Sequence, residues 1–422
     1  MRSFHTCLTL LLAISLLLTG CAPGTSGVPS QTAADTTAGV ADRDTETLAP
    51  VQTGEPEDGA AVFSAALLQR AAEPGKNTVI SPLSAYLALA MAARGAGGNT
   101  LAQMEQVLGA DVEKLCAFAA EETARLAAGG AELSLANSVW VDEGFSVSAD
   151  YADDLETLFS AESFSCRLSS GETMQAINRW CEEHTKGLIP KLLEQPLTGA
   201  SALALINALY LKADWQTPFE ARKTADKPFT KDNGETVSVP TMSAKTGLCY
   251  YVLPDGGKGV VLPYADCDLA FVAILPPQGM TGADYAASMA PDAFYQCVTE
   301  GESQKLELEL PKFTAQTTLI MNQALIDMGM SDAFSQGGAD FSAMCGQKDD
   351  ELFLGTALQK VKLTVDEKGT EAAAASAVVM FRAAAIADQA TPLHFDRSFV
   401  YGVIDTQNGM PLFSGVEAAP EK

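Results

Sequence analysis

The sequence predicts an α+β fold whose sheets are mostly antiparallel. Helical spacing of apolar residues dominates the first part of the chain, and period-two alternation dominates the later part. No regular strand–helix–strand alternation and no internal repeat connect the two parts, which argues against a parallel α/β sheet. Of the 422 residues, 47% are hydrophobic and 19% are charged, so the chain is long enough and apolar enough to bury a full core.

Two helices, each with one buried face, are predicted at the start of the globular body. In both of them the apolar residues recur three and four positions apart, which places them on one stripe of a helix. The first set is Val62, Phe63, Ala66 and Leu67, and the second set, which follows Pro82, is Leu83, Tyr86, Leu87, Ala90 and Met91.

Strands are predicted where apolar residues alternate with polar ones. The alternating residues are Leu133, Leu135, Val139 and Val141, then Leu306, Leu308 and Leu310, then Val361, Leu363 and Val365. A continuous apolar run at 269–275, closed by Pro276 and Pro277, predicts a strand that is buried on both faces. Residues 399–404 and 411–415 predict two late strands.

The amino terminus has the pattern of an export signal. Residues 8–18 form an apolar run that is too short to span a bilayer, which suits the core of a signal peptide. Residues 18–21, Leu-Thr-Gly-Cys, resemble the lipobox of bacterial lipoproteins, in which the cysteine receives the lipid. We therefore interpret residues 1–20 as a lipoprotein signal peptide and Cys21 as the lipidated residue. The alternative is an ordinary cleavage site with a cysteine present by chance.

Residues 21–58 are interpreted as a flexible acidic tether. This stretch is rich in Ala, Thr, Gly, Pro and acidic residues, with few large apolar side chains, so burial cannot offset the entropy cost of ordering it. The remaining body, residues 59–422, is predicted to be one globular domain. With the lipid anchor, the expected location is the outer face of a bacterial cell membrane.

Charge and cysteine usage exclude several classes of function. The chain has 27 lysines and arginines against 53 aspartates and glutamates, and its formal charge of −26 repels nucleic acid and anionic lipid surfaces. The seven cysteines of the body are never closer than about fifteen residues, so no local pair resembles a structural zinc site. We expect mostly buried thiols, no metal and no cofactor.

Catalytic patterns are largely missing from the sequence. Of the three histidines only His184 and His394 lie in the body, and no G-x-S-x-G nucleophile turn is present. The glycine-rich run at 94–99 lacks the spacing of a phosphate-binding loop and is interpreted as a helix stop. A non-enzyme is therefore expected, although counting carboxylates does not exclude a glycosidase.

The segment at 367–379, Glu-Lys-Gly-Thr-Glu-Ala-Ala-Ala-Ala-Ser-Ala-Val-Val, is the most informative stretch of the chain. Its alanines favour a helix, but it follows a predicted strand and runs into residues that prefer strand. As a strand it would place a row of small side chains on one face, namely Thr370, Ala372, Ala374, Ser376 and Val378. This composition suits a loop that can become a strand between two existing strands.

From about residue 60 to residue 416 the chain resembles the serpin family of protease inhibitors. Residues 367–375 are similar to the inhibitory hinge of the family, and residues 393–401, Leu-His-Phe-Asp-Arg-Ser-Phe-Val-Tyr, are similar to the signature that follows its reactive loop. Residues 411–415, 77–84 and 207–215 match three further family motifs.

The resemblance implies a single serpin domain with three β-sheets, eight or nine helices and an exposed reactive-centre loop at about residues 369–394. A target serine protease would cleave the loop and remain trapped as an acyl-enzyme, while the loop inserts into the main sheet. It further implies a monomer that needs no cofactor.

The resemblance also implies roles for individual residues. The hinge would comprise Glu367, Gly369, Thr370, Glu371, Ala372, Ala373, Ala374, Ala375 and Ser376. Trp215 would lie at the top of the main sheet, where Glu367 would pair with Lys312. Beneath the sheet centre, a polar latch would comprise Ser81, Ser84, Asn207 and Gln359. The family commonly has histidine at the last of these positions, so an amide there would lack a pH response.

The family spacing of fourteen residues from Gly369 places the scissile bond between Ala383 and Ala384, which suits an elastase-like protease. Counting back from Phe399 instead places it about four residues later, and Arg382 would suit trypsin-like enzymes. A second function class stays open, in which the serpin fold serves as a non-inhibitory surface binding module. Bulky or charged residues on the inward face of the hinge would favour it, and none occurs between Thr370 and Val378.

Overall fold

The computed structural model describes residues 56–197, 203–346, 352–370 and 390–420. The predicted signal peptide, Cys21 and most of the predicted tether therefore lie outside the described residues. The first helix begins at Pro56, three residues before the predicted boundary at residue 59. Proline in the first turn, followed by Glu57 and Asp58, favours a helix amino terminus. The predicted boundary was later because it rested on the apolar stripe, which does not include these residues.

Within the described residues the chain forms ten α-helices, whereas eight or nine were expected. The additional ones are short, such as the four-residue α10, and an apolar period cannot predict helices of this length. The helices are α1 Pro56–Ala71, α2 Pro82–Gly95, α3 Gly98–Leu108, α4 Val112–Ala128, α5 Ala149–Phe159, α6 Gly171–His184, α7 Gly282–Ser288, α8 Ala293–Thr299, α9 Asn322–Asp327 and α10 Ser342–Cys345.

Fifteen strands are present in the same part of the chain, and each predicted strand is among them. The strands are β1 Thr78–Ile80, β2 Glu132–Asp142, β3 Glu162–Cys166, β4 Leu203–Asp214, β5 Ala225–Thr230, β6 Thr236–Val252, β7 Lys258–Pro263, β8 Leu269–Leu275, β9 Glu302–Pro311, β10 Phe313–Ile320, β11 Leu354–Val365, β12 Gly369–Thr370, β13 Thr391–His394, β14 Phe399–Asp405 and β15 Pro411–Glu417.

Six strands form what we call the main sheet, in the order β10-β11-β12-β4-β2-β3. All strand pairs in this sheet are antiparallel except two, β2 with β3 and β4 with β11, which are parallel. The other nine strands form the second network, in the order β1-β15-β14-β8-β7-β6-β9-β13, with β5 added beside β6. Three sheets were expected, but the strands form two hydrogen-bonded networks. The second network is continuous because the 17-residue β6 belongs to two groups of strands. It pairs with β5 and β9, and its residues 249–252 also pair with β7.

The core lies between the main sheet and the second network, and α2 runs through it. Every residue of α2 except Arg94 is buried, and Ser81 caps its amino terminus by accepting a hydrogen bond from the backbone of Ser84. On the opposite side of the main sheet, α6 covers a smaller apolar cluster that includes Trp140 and Ile206. The main sheet is therefore covered on both faces, so whatever enters it must fit between buried layers.

The seven cysteines of the body form no disulfide among the described residues, and fewer of them are buried than expected. Cys116, Cys181 and Cys297 are buried, whereas the other four are partly exposed. The expectation of mostly buried thiols was wrong because two of the partly exposed cysteines, Cys166 and Cys345, end a strand and a helix at the surface.

No helix in the described part of the chain has the length and hydropathy to cross a membrane.

Candidate functional site

The candidate site is the space between β4 and β11 in the main sheet. These strands pair directly only at one end, where residues 354–358 of β11 run parallel to residues 203–206 of β4. At the other end β12 lies between them and pairs antiparallel with both, with Val365 and Asp214 among its partners. Between the two ends, no pairing joins β4 to β11 among the described residues, so the sheet has a gap that begins at β12.

The turn that leads into this gap is held by Asp366. Its carboxylate accepts hydrogen bonds from the backbone N–H groups of Lys368 and Gly369, at 2.8 and 3.3 Å, and its own N–H donates to the Gly369 carbonyl at 3.0 Å. A short aspartate side chain commonly closes a turn in this way. The chain leaving β11 therefore reverses at once and enters the sheet beside the strand that it has just left.

Gly369 and Thr370 fit the gap for different reasons. A Cβ atom on Gly369 would lie 2.0 Å from the carbonyl oxygen of Ala213, so only glycine lets β12 approach β4 this closely. Thr370 is 1% exposed, and its hydroxyl is hydrogen-bonded to the hydroxyl of Tyr264. Its register partners Ala213 and Val365 both belong to the main core, so the Thr370 side chain faces that core.

Trp215 lies directly behind the turn, at the predicted position near the top of the main sheet. Its indole N–H donates to the carbonyl of Asp366 at 2.8 Å, and its backbone N–H donates to the carbonyl of Lys368 at 2.7 Å. The indole ring is 3% exposed and stacks on Tyr264 with 4.7 Å between ring centroids. Trp215 thus joins the end of β4 to the turn before β12 by hydrogen bonds as well as by packing.

Glu367 and Lys312 form an ion pair beside the same turn, with 2.7 Å between Nζ and Oε2. The other oxygen of Glu367 accepts a hydrogen bond from the Thr224 hydroxyl at 2.8 Å. Burial alone would raise the pKa of the Glu367 carboxyl, but the hydrogen bonds from Lys312 and Thr224 outweigh it and lower the pKa below its ordinary value.

We expect Lys312→Met to lower the free energy of unfolding by about 1 kcal/mol at neutral pH, because the ion pair is partly screened by water. A lowered pKa means that the pair stabilises the fold above the ordinary glutamate pKa, and that this contribution is lost as the pH falls through the lowered value. The parent and the variant should therefore converge in acid. Urea unfolding at several pH values measures the difference, and Lys231→Met, which removes an exposed pair with Glu235, is the control. A difference that grows in acid would contradict the assignment.

The predicted polar latch is present beneath the sheet centre for three of its four residues. Gln359 is 4% exposed and makes two hydrogen bonds to the backbone of Ser81, each of 2.8 Å, with its Oε1 accepting and its Nε2 donating. The hydroxyl of Ser81 lies 2.7 Å from the hydroxyl of Ser84 and 2.7 Å from the carbonyl of Leu412. This latch joins β11 to α2 and β15, and it contains no titratable group.

Asn207 lies outside this set of hydrogen bonds. Its amide nitrogen donates to the side chain of Asn137, its register partner on β2, at 2.5 Å. Asn207 nevertheless lines the same small cavity below the sheet as Ser84 and Gln359. The pairing with Asn137 was missed because Asn137 stands in a strand pattern where nothing marks a polar partner.

His184 is the last residue of α6. Its Nδ1 lies 2.8 Å from the carbonyl of Trp180, and its Nε2 lies 3.4 Å from the carboxylate of Glu162. These contacts attach the end of α6 to β3 at the surface. The other residues proposed for the hinge, 371–376, and the candidate scissile positions 382–384 lie outside the described residues.

A family model described as Serpin (serine protease inhibitor) matches residues 58–420. The chain is 31% identical over 314 residues to a leukocyte elastase inhibitor of Xenopus tropicalis, covering 71% of this chain and 82% of that protein. It is 29% identical over 372 residues to neuroserpin of Gallus gallus, covering 83% and 88%.

Solved structures show the same likeness. The thermophilic serpin tengpin in its native state matches with a TM-score of 0.79 and 32% identity, over 86% of this chain and 94% of that chain. Human thyroxine-binding globulin complexed with thyroxine matches with a TM-score of 0.78 and 26% identity, over 87% and 99%. The family model spans the body of the chain, and the solved structures share its fold. The chain therefore belongs to the serpin family and has the serpin fold.

Proposed function

We propose that the protein is an irreversible suicide-substrate inhibitor of serine proteases. The target enzyme cleaves the loop that follows β12 and is held as an acyl-enzyme while the freed loop enters the main sheet as a new strand. Proteolytic release of stored strain by loop insertion is a general switching device in this family. The inserted strand would carry the attached protease with it and distort its active site.

The position of β12 is the observation that carries this proposal. It already stands between β4 and β11 as the first two residues of a strand, antiparallel to both neighbours. A chain that continued in the same direction would fill the gap and gain on the order of ten ladder hydrogen bonds, each of about 1 kcal/mol net. That sum rivals the whole stability of an ordinary domain, so insertion can drive the deformation of a bound enzyme.

The small side chains of the hinge support insertion as well. Because side chains alternate along a strand, residues 372, 374, 376 and 378 would face the same way as Thr370, which is toward the main core. They are alanine, alanine, serine and valine. None of them would place a charge or a large volume between the packed layers on either side of the sheet.

For the scissile bond we propose Ala383–Ala384 and an elastase-like target. A small apolar residue before the cleaved bond suits the shallow specificity pocket of such enzymes, and one of the relatives is named a leukocyte elastase inhibitor. Cleavage after Arg382 by a trypsin-like protease is the alternative within the same mechanism.

The proposal includes a signal peptide at 1–20 and a lipid on Cys21, which would hold a monomeric inhibitor on the outer face of a bacterial membrane.

A non-inhibitory binding module is the second candidate function. The likeness to thyroxine-binding globulin, whose structure holds thyroxine, favours it, because the fold match covers 87% of this chain. In this case the loop would be cleaved without trapping the protease. The two candidates therefore differ in whether a covalent complex forms.

We expect the purified protein to form an SDS-stable complex with pancreatic or neutrophil elastase and to release a carboxy-terminal peptide that begins at Ala384. Denaturing gels detect the complex, mass spectrometry identifies the peptide, and trypsin in parallel tests the Arg382 alternative. Elastase inactivated at its nucleophilic serine is the matched control, because it cannot form the acyl bond. Loop cleavage without a covalent complex, with either enzyme, would reject the inhibitor and favour the binding module.

A further inference from the structure

Three side chains that can bind a metal lie together where β13 meets β9. They are Glu307, Glu309 and His394, and one ligand atom from each lies within 4.8 Å of the others. The parallel register sets His394 beside Glu309. Glu307 lies two residues earlier on β9 and therefore on the same face of the strand. The intervening Leu308 and its register partner Leu393 are buried on the opposite face.

Two buried polar atoms flank Glu309 without a hydrogen-bond partner among the described residues. One is Nε2 of His394, which lies 3.9 Å from the nearer oxygen of Glu309. The other is Oγ of Ser243, the register partner of Glu309 on β6. Buried polar atoms nearly always have a partner, so two such atoms in one row across three strands leave places that a water or an ion can fill.

The carboxylates of this row already contact ammonium groups. Lys227 contacts Glu309 at Oε1, and Lys245 lies 3.6 Å from Oε2 of Glu307. Oε1 of Glu309 is also the oxygen that lies 3.9 Å from Nε2 of His394, so the ammonium group of Lys227 and the imidazole approach the same carboxylate oxygen. Lys227 would therefore compete with a cation that approached His394, and this competition can be tested.

We propose that Glu307, Glu309 and His394 bind a divalent cation of the zinc class that ties β13 to β9. The imidazole favours zinc, copper or nickel over magnesium and calcium, and an imidazole with two carboxylates is a suitable donor set for zinc with a water in the fourth position. Ligand distances of about 2.0–2.2 Å require the three side chains to move together by roughly 1 Å. Glu307, whose side chain is 50% exposed, is free to rotate by that much.

The expectation of no metal rested on cysteine spacing along the chain. Spacing along the chain could not reveal Glu307, Glu309 and His394 as a group, because the pairing of β13 with β9 brings together residues that are about 85 positions apart. β13 is an edge strand of the second network and is attached through four register pairs. In the proposed inhibitor it would hold the distal end of the reactive loop. A metal bound across β9 and β13 would fasten that end more firmly.

Titration of the metal-free protein with zinc chloride in a calorimeter at about pH 7.5 tests the proposal. We expect one saturable site that is lost in His394→Gln and weakened at least about tenfold in Glu307→Gln. His184→Gln, which changes the other histidine of the body beside a glutamate, is the matched control and should bind like the parent. Lys227→Met should bind zinc more tightly, because it removes the competing ammonium group.

Hydrogen exchange supplies a second readout that does not depend on the calorimeter. Zinc should slow exchange of the backbone amides of residues 391, 393 and 394 in the parent and leave them unchanged in His394→Gln. The cysteines are present in all these variants, so zinc binding that persists in His394→Gln would come from another site, such as a thiol, and overturn the proposal. The absence of saturable binding in both the parent and Lys227→Met would also overturn it.

Discussion

Thr370→Arg is expected to convert the protein from an inhibitor into a substrate of its target protease. Thr370 faces the main core between β4 and β11, and a guanidinium group at this position would be buried without a partner. Such burial costs several kcal/mol, and each 1.4 kcal/mol changes a ratio of rates about tenfold. An uncleaved chain can relieve this cost by withdrawing the two residues of β12 from the sheet, whereas the inserted state and the transition state leading to it cannot. Cleavage of the loop does not bury residue 370 any further and is not slowed.

The measurement is the number of inhibitor molecules consumed for each protease molecule inactivated, which should rise at least about tenfold in Thr370→Arg. Lys368→Arg is the matched control, because Lys368 is exposed in the adjacent turn and already carries a positive charge. Ala374→Arg, in the undescribed part of the hinge, should behave like Thr370→Arg. Unchanged inhibition by both arginine variants would overturn the insertion mechanism and leave the serpin fold in place.

Gln359→Leu is expected to lower the free energy of unfolding by about 1–3 kcal/mol. The substitution roughly preserves the volume of the side chain but removes both hydrogen bonds to the backbone of Ser81, whose N–H and C=O are buried. The Ser81 carbonyl keeps a 3.2 Å hydrogen bond from the N–H of Ala85, so only the buried Ser81 N–H loses its partner, which costs about 1–3 kcal/mol. Because the latch joins β11 to α2 and β15, its loss should also let β11 move away from β4 more easily.

Guanidinium unfolding measures the change in stability, and hydrogen exchange of the amides in 354–358 measures the opening between β11 and β4. Gln323→Leu is the control, since Gln323 is exposed and bonds only the nearby Asp327. That variant should stay within about 0.5 kcal/mol of the parent. Equal stability of both variants would mean that the Ser81 backbone finds other partners and that the latch does not hold the sheet.

The sequence predicted those elements that have both a clear apolar pattern and a proline at one end. The strand at 269–275 was predicted at its observed bounds, because an unbroken apolar run ends at two prolines and every residue is buried. The predicted apolar stripe that follows Pro82 lies on α2, which begins at this proline. In both cases local chemistry and tertiary burial favour the same structure, which is the situation in which pattern is reliable.

Local pattern could not decide the structure of the hinge. Its alanines favour a helix, yet Gly369 and Thr370 form a strand, because the unpaired edges of β4 and β11 supply partners on both sides. The residues that hold the turn, Asp366 and Tyr264, were not identified, since their roles depend on contacts with distant parts of the chain. The family resemblance located Trp215, Lys312 and Gln359, whereas composition and spacing did not.

The order of strands in the second network also bears on how the chain reaches its native state. β1 pairs with β15, joining Thr78 to Val416 about 340 positions later, and β8 lies between β7 and β14. Until the last strands have been made, one edge of the wholly apolar β8 has no partner, so an incomplete chain exposes an aggregation-prone surface. Folding dominated by such distant pairings is slow. Synthesis must therefore pass β14 and β15 before the core can close, so the emergence of residues 399–417 determines when folding can finish.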